Sequence, residues 1–202
     1  TSFCKRGGGF AIADDDVVEL TNLQRQVAHS QSMIGEPKVV SAQQTLLGLN
    51  PDLKITALQK RLDGANLSEA VSQADLVVDA CDNYTTRFAI NSACIEHGKP
   101  LVSGAAIRME GQVAVFDSRS PISPCYQCLY SQGGDEDTSC SENGVMAPLV
   151  GIIGAVQAME AIKLLAGIGE SLTGRLLLLD ASSLQWREMR LPRDSNCGAC
   201  GS

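Results

Sequence analysis

Acidic, amide and basic side chains crowd into residues 14–38, DDDVVELTNLQRQVAHSQSMIGEPK, directly after the short apolar run Phe10–Ala13. Such a run suits a buried parallel strand, which sets Asp14 at its carboxyl end, where open α/β sheets bind ligands. An acid there can accept hydrogen bonds from a ribose. Asn22, Gln24 and Arg25 follow with amide and guanidinium donors. Lys38, after Gly35 and Pro37 at the start of a helix, adds a point charge; these donors suit a triphosphate. Taken singly, Asp14, Asp15 and Asp16 read as a solvated turn, and Arg25 and Lys38 as surface charges. The combination argues otherwise, because a second acidic site, Asp82-Asn83, closes another apolar strand and two strand ends then converge.

The cysteines offer a second chemistry. Cys125-Tyr-Gln-Cys128 and Cys197-Gly-Ala-Cys200 are two C-x-x-C knuckles, four thiolates in the pairwise arrangement that tetrahedral zinc takes. A redox dithiol needs only one such pair near a helix start, so two pairs favour metal. A closed four-sulfur shell leaves no position for water or substrate, which makes the zinc structural, stapling a loop to the C-terminal tail. Cys140 stands unpaired in a polar loop, and reads either as an accessible nucleophile or as an incidental surface cysteine. Cys81 and Cys94 read as small core residues and Cys4 as a bystander.

Elements that would position these groups follow from periodicity. Strands are expected at Phe10–Asp14, Ile55–Leu58, Asp75–Asp79, Leu101–Ala106 and Gln112–Phe116. Helices are expected from about Pro37 to Leu49, over Ala65–Gln73, Tyr84–His97 and Pro148–Ala166, with Gly98 and Pro100 closing the third. A hairpin, Arg175–Asp180 with Leu184–Leu191, would finish the sheet. Alternation up to Ala106 implies a doubly wound, mostly parallel, Rossmann-like sheet with an antiparallel C-terminal part. Residues 121–144, rich in Ser, Gly, Asp and Cys, read as a long loop. Gly7, Gly8 and Gly9 precede the strand instead of following it, so they cannot form a phosphate cradle and read as a linker or frayed turn.

Composition limits the alternatives. The 202 residues suit one domain with a sizeable core, spanning 1–202. With 44% hydrophobic but only 4% aromatic residues, the core is aliphatic, as in parallel α/β packing. A net charge of −7 argues against general nucleic-acid binding. The apolar run Ala147–Val156 is too short for a span of about 20 residues, and Gln157, Glu160 and Lys163 would form a wet stripe on a mostly buried helix. Without a signal peptide the expected compartment is the cytoplasm, where eight cysteines argue for metal or chemistry over disulfides.

Asp14, the segment Asn22–Gln26, Lys38, Asp82-Asn83, Ser103–Gln112, both knuckles and Cys140-x-x-x-Gly-Val-Met-Ala-Pro-Leu149, in this order, closely resemble the MoeB/ThiF/HesA adenylyltransferases, relatives of the ubiquitin-activating enzymes. The stretch SGAAIRMEGQ looks more like the molybdopterin-synthase activators than the thiamine-thiazole ones. The resemblance implies an ATP- and Mg2+-dependent enzyme that joins AMP to the C-terminal glycine of a small ubiquitin-like sulfur carrier, with a separate sulfur donor and a homodimer. It also implies site roles. Asp14 holds the ribose; Thr21, Asn22, Leu23, Gln24, Arg25 and Lys38 surround and grip the phosphates; Asp82, beside Asn83, binds Mg2+ or orients the triphosphate. Cys140 matches a position that in some members bonds to a carrier.

The family's N-terminal arm, first strand and Gly-rich loop have no counterpart in residues 1–9, so the sheet is expected to lack a strand, leaving a gap or an exposed edge. Two other readings remain at this point. A nicotinamide or flavin oxidoreductase would use Asp14 but leave Arg25, Lys38 and the knuckles idle; a zinc-stapled, non-catalytic carrier-binding module would fit the missing loop.

Overall fold

The computed structural model describes residues 1–5, 9–130 and 144–201. One eight-stranded mixed sheet organises them: β1 (Ser2–Lys5), β2 (Gly9–Ala13), β3 (Lys54–Leu58), β4 (Leu76–Asp79), β5 (Leu101–Ile107), β6 (Glu110–Phe116), β7 (Arg175–Asp180) and β8 (Gln185–Arg190), in the spatial order 3-2-1-4-5-6-7-8. The helices are α1 (Lys38–Leu49), α2 (Gly64–Ser72), α3 (Tyr84–Glu96), a single turn α4 (Tyr126–Leu129) and α5 (Ala147–Ala166).

Period-2 alternation puts successive strand residues on opposite faces, and both faces are covered. Val77, Leu101, Ala114 and Phe116 pack under the helices α2 and α3 with Leu67, Val71 and Ile90. Their neighbours Leu76, Val102, Val113 and Val115 pack under α5 with Leu149, Ile153 and Ala161.

Three expectations are corrected. The sheet is not mostly parallel: only β2·β3 and β4·β5 run parallel. Nor is there a gap, because Ser2–Lys5, to which the sequence assigned no element, forms β1 and lies antiparallel to both β2 and β4, with Phe3 buried at 2% exposure. The third concerns α5. Its 20 residues and mean hydropathy of 1.7 meet the length and composition of a membrane span, but its polar stripe is buried, not wet. Gln157 Nε2 donates to the Asp79 carbonyl (2.7 Å) and Glu160 accepts the Leu172 N–H (2.8 Å), while Lys163 pairs with Glu160. What faces outward is apolar: Ile152, Met159 and Ile162 are exposed.

Close helix–sheet contact depends on two glycines. A Cβ on Gly104 would lie 2.3 Å from the Gln157 side chain, and one on Gly111 would lie 2.6 Å from Ile153 Cδ1.

Candidate active site

The carboxyl ends of β2, β3, β4 and β5 open into a cleft of about 800 Å3. Its wall gathers Asp14, Arg25, Lys38, Asp82 and Asn83, residues far apart in sequence. That volume suits a nucleotide-sized ligand.

Asp14 follows β2, its N–H donating to the Leu58 carbonyl (3.2 Å), and its Oδ1 accepts the Asp16 N–H at 2.9 Å, an Asx turn that fixes the carboxylate. Lys38 opens α1 with Nζ 2.6 Å from Asp16 Oδ2. Arg25 is braced by its own chain, its guanidinium donating to the Thr21 carbonyl at 3.0 Å. Behind them His29 bonds Ser41 through Nδ1 (2.9 Å), and burial, then the Lys38 charge, hold its pKa below the ordinary value against the pull of Asp14. The cleft thus sets cations beside acids, the arrangement a magnesium-bearing polyphosphate requires.

Not every expected residue reaches the cleft. Thr21, Asn22, Leu23 and Gln24 do not line it. Asn22 is buried, and its Oδ1 accepts the Glu19 N–H (3.0 Å), closing the 3-10 turn Leu20–Asn22 that carries Arg25. Asn83 lines the cleft but spends its Oδ1 capping α3, accepting the Thr86 N–H at 2.8 Å. Asp82 is exposed beside it. Cys140 lies outside the described residues.

Sequence reasoning missed Lys60 and Arg61, which also line the cleft. Their signal was available, since both follow the apolar strand β3 at its carboxyl end, where Asp14 follows β2. Arg61 donates to Thr86 Oγ1 (3.2 Å), tying that end to α3. Also missed was the buried support below the loop 80–83. Asp79 accepts the Cys81 N–H (2.9 Å) and the Ser103 hydroxyl (3.1 Å), and Arg87 donates to the carbonyls of Cys81 and Gly104. No motif marks this pair. Tyr126 stands over Arg87, its ring centroid 5.9 Å from Cζ, and forms cleft wall with Tyr130.

At the far side of Tyr126 the four knuckle sulfurs meet. Cys125, Cys128, Cys197 and Cys200 all place Sγ within 4.8 Å of one another. The separations given by Cys125–Cys128 (3.8 Å), Cys125–Cys197 (3.6 Å) and Cys128–Cys200 (3.4 Å) are close to the roughly 3.8 Å edge of a tetrahedron with metal–sulfur bonds of about 2.3 Å. The cysteines therefore fit a four-coordinate metal. Burial raises the Cys197 thiol, but the N–H groups of Ala199 and Cys200 outweigh it and bring the pKa down to about 7, so the thiolate is cradled by backbone. Gly201 permits the tight final turn, since a Cβ there would meet the Cys197 carbonyl at 2.5 Å.

The fold and cleft define a Rossmann-like α/β protein with a four-thiolate cluster beside its ligand-sized opening. The chain belongs to the ThiF family, whose sequence pattern matches residues 7–199. The molybdopterin-synthase adenylyltransferase of Escherichia coli K12 is 47% identical over 194 residues, covering 96% of this chain and 78% of that protein. From the same organism, the sulfur carrier protein ThiS adenylyltransferase is 44% identical over 194 residues, covering 96% and 76%. Among solved structures, E. coli MccB with ATP superimposes with a TM-score of 0.80 at 19% identity, covering 95% of this chain and 59% of that one. At that identity the likeness concerns the fold alone. The chain spans about 60% of the MccB chains it matches.

Proposed function

We propose that this chain carries the active site of an adenylyltransferase that activates the C-terminal glycine of a ubiquitin-like sulfur carrier, of the kind serving molybdopterin synthase. The observation that carries the reading is the convergence of Asp14, Arg25, Lys38 and Asp82 on one cleft in a chain 47% identical to an enzyme of that name.

In this reading Asp14 accepts from the ribose hydroxyls, and Arg25 and Lys38, with Lys60 and Arg61 nearby, hold the triphosphate. Asp82, with its hard oxygens exposed at the cleft, would hold Mg2+, which shields triphosphate charge when bound. The carrier's C-terminal carboxylate is already ionised, so the site needs positioning and charge neutralisation more than a base. A carboxylate oxygen bonds to the α-phosphorus, the bond to the bridging oxygen breaks, and pyrophosphate leaves with that electron pair. Asn22, Leu23, Gln24 and Thr21 act from behind, by shaping the turn that presents Arg25. Zinc is the metal that a four-thiolate shell favours.

The exposed apolar face of α5 supports a homodimer, since such a face is costly in water. The cytoplasm remains the proposed compartment, and a thiamine-thiazole carrier is the second candidate substrate, favoured by the 44% relative.

Carrier-dependent exchange of labelled pyrophosphate into ATP tests the reading. Exchange with the molybdopterin-type carrier and little with the thiazole type is expected; no exchange with either, in folded metal-loaded protein, would favour a non-catalytic carrier-binding module.

A further inference from the structure

Asn91, on the buried side of α3, is 1% exposed. Its carboxamide has one orientation, because Oδ1 accepts the Tyr126 N–H at 2.9 Å. That leaves Nδ2 buried with no hydrogen-bond partner among the described residues. Buried donors are rarely left unmade, so an acceptor is called for. Cys125 immediately precedes Tyr126, and Asn91, Cys125 and Cys200 share the wall of a cavity of about 370 Å3. A protonated thiol is a weak acceptor, whereas a thiolate on a metal is a strong one.

We propose that Asn91 is a positioning residue for the four-cysteine centre, its Nδ2 donating to Cys125 Sγ in the metal-bound form while its Oδ1 holds the knuckle turn α4 against α3. This rests on the reading of the cluster as a metal site. It gives α3 two tasks. One end carries Asn83 into the nucleotide cleft, and two turns along, Asn91 orients a metal ligand whose neighbour, Tyr126, walls the same cleft.

The same cavity could be read as an anion pocket, since Lys99, Arg119 and Arg193 line it. The contacts oppose that reading. Arg119 forms a two-pronged pair with Asp117 (2.8 and 2.7 Å), and Arg193 donates to the Cys200 carbonyl. Four thiolates around one divalent cation also leave a net negative charge, which Lys99 and Arg193 on the same cavity wall oppose.

Cobalt(II) and zinc loading of the whole chain tests the proposal. Asn91→Asp keeps an oxygen for the Tyr126 N–H and replaces the donor, and Asn91→Ala removes both contacts and serves if the first variant fails to fold. Wild-type protein should bind one metal per chain. In the variants zinc should pass to a chromogenic chelator about 10–100-fold faster. At saturating cobalt the thiolate-to-cobalt charge-transfer band should shift, a readout that a purely structural residue would leave in place. Unchanged release and an unchanged band in both variants would overturn the role of Asn91. Wild-type protein that takes up no cobalt would overturn the metal reading itself, and with it this proposal, before any variant is compared.

Discussion

Arg87 Nε lies 3.8 Å from the Asp79 carboxylate, and the two side chains are 8% and 1% exposed. A charge so far from water needs compensation from every side. The Asp79 carboxylate accepts from Cys81 and Ser103, and Arg87 spends its donors on the Cys81 and Gly104 carbonyls. The pair therefore anchors the loop 80–83 that presents Asp82. Arg87→Leu would strand the Asp79 charge, and should destabilise the fold by roughly 3–5 kcal/mol in urea titrations. Lys38→Leu, which removes a partner from the exposed carboxylate of Asp16, should cost no more than about 1 kcal/mol. Equal effects would show that the buried pair is not the anchor.

Among the described residues Lys38 forms one ion pair, with Asp16, whose side chain is 65% exposed. Exposed pairs contribute little to stability, about 0–1 kcal/mol. Lys38→Ala should thus leave the thermal midpoint nearly unmoved while lowering pyrophosphate exchange by roughly 100-fold, the scale of losing one charge-stabilising donor. Lys38→Arg should recover part of the rate, since the charge returns on a differently shaped head. A thermal shift as large as the activity loss would mean that Lys38 is holding the fold and not the phosphates.

Gly104 shows how closely α5 must approach. Gln157, which a Cβ at Gly104 would strike at 2.3 Å, cannot simply swing away, because its Nε2 bonds the carbonyls of Asp79 (2.7 Å) and Val102 (3.3 Å). Gly104→Ala should cost roughly 1–3 kcal/mol, and more than Gly111→Ala, where the obstacle is the movable tip of Ile153. Denaturant midpoints for the two variants decide this, and the reverse order would refute the assignment of Gln157 as fixed.

What was legible in the sequence was local. The end of the helix Tyr84–Glu96 could be placed because Gly98 and Pro100 close it, signals lying within about one turn of the boundary. Strand β1 could not, because four residues carry almost no periodicity and become a strand only through partners at β2 and β4, the latter more than seventy residues away. The same distinction governs the cleft. Asp14, Lys38 and Asp82 could be placed at its wall from their positions at element ends, whereas nothing local showed that Asn22 sits buried behind the wall, its Oδ1 accepting the Glu19 N–H. The polar stripe on α5 had a clear period, but period does not say which face is buried. Here Gln157 and Glu160 point inward because backbone groups at Asp79, Val102 and Leu172 supply their partners.

Two thiols outside the metal cluster should make the fold sensitive to alkali. Burial, reinforced by the Asp79 charge, pushes Cys94 and Cys81 each up to about 12. An unfolded cysteine ionises near 8.5. The raised folded pKa means that the native state keeps its protons longer, so this contribution to stability is fully present below about pH 8.5 and is lost as the pH rises toward about 12. By pH 10 each thiol should remove about 1–2 kcal/mol. Cys94→Ala, a small-for-small change at a 3% exposed site, should lower the urea midpoint somewhat at pH 7.5 but flatten its decline between pH 8.5 and 10.5. If the variant and the wild type decline in parallel, Cys94 ionises no more reluctantly folded than unfolded, and the alkaline loss must come from elsewhere, with Cys81, likewise pushed up to about 12, as the next group to replace.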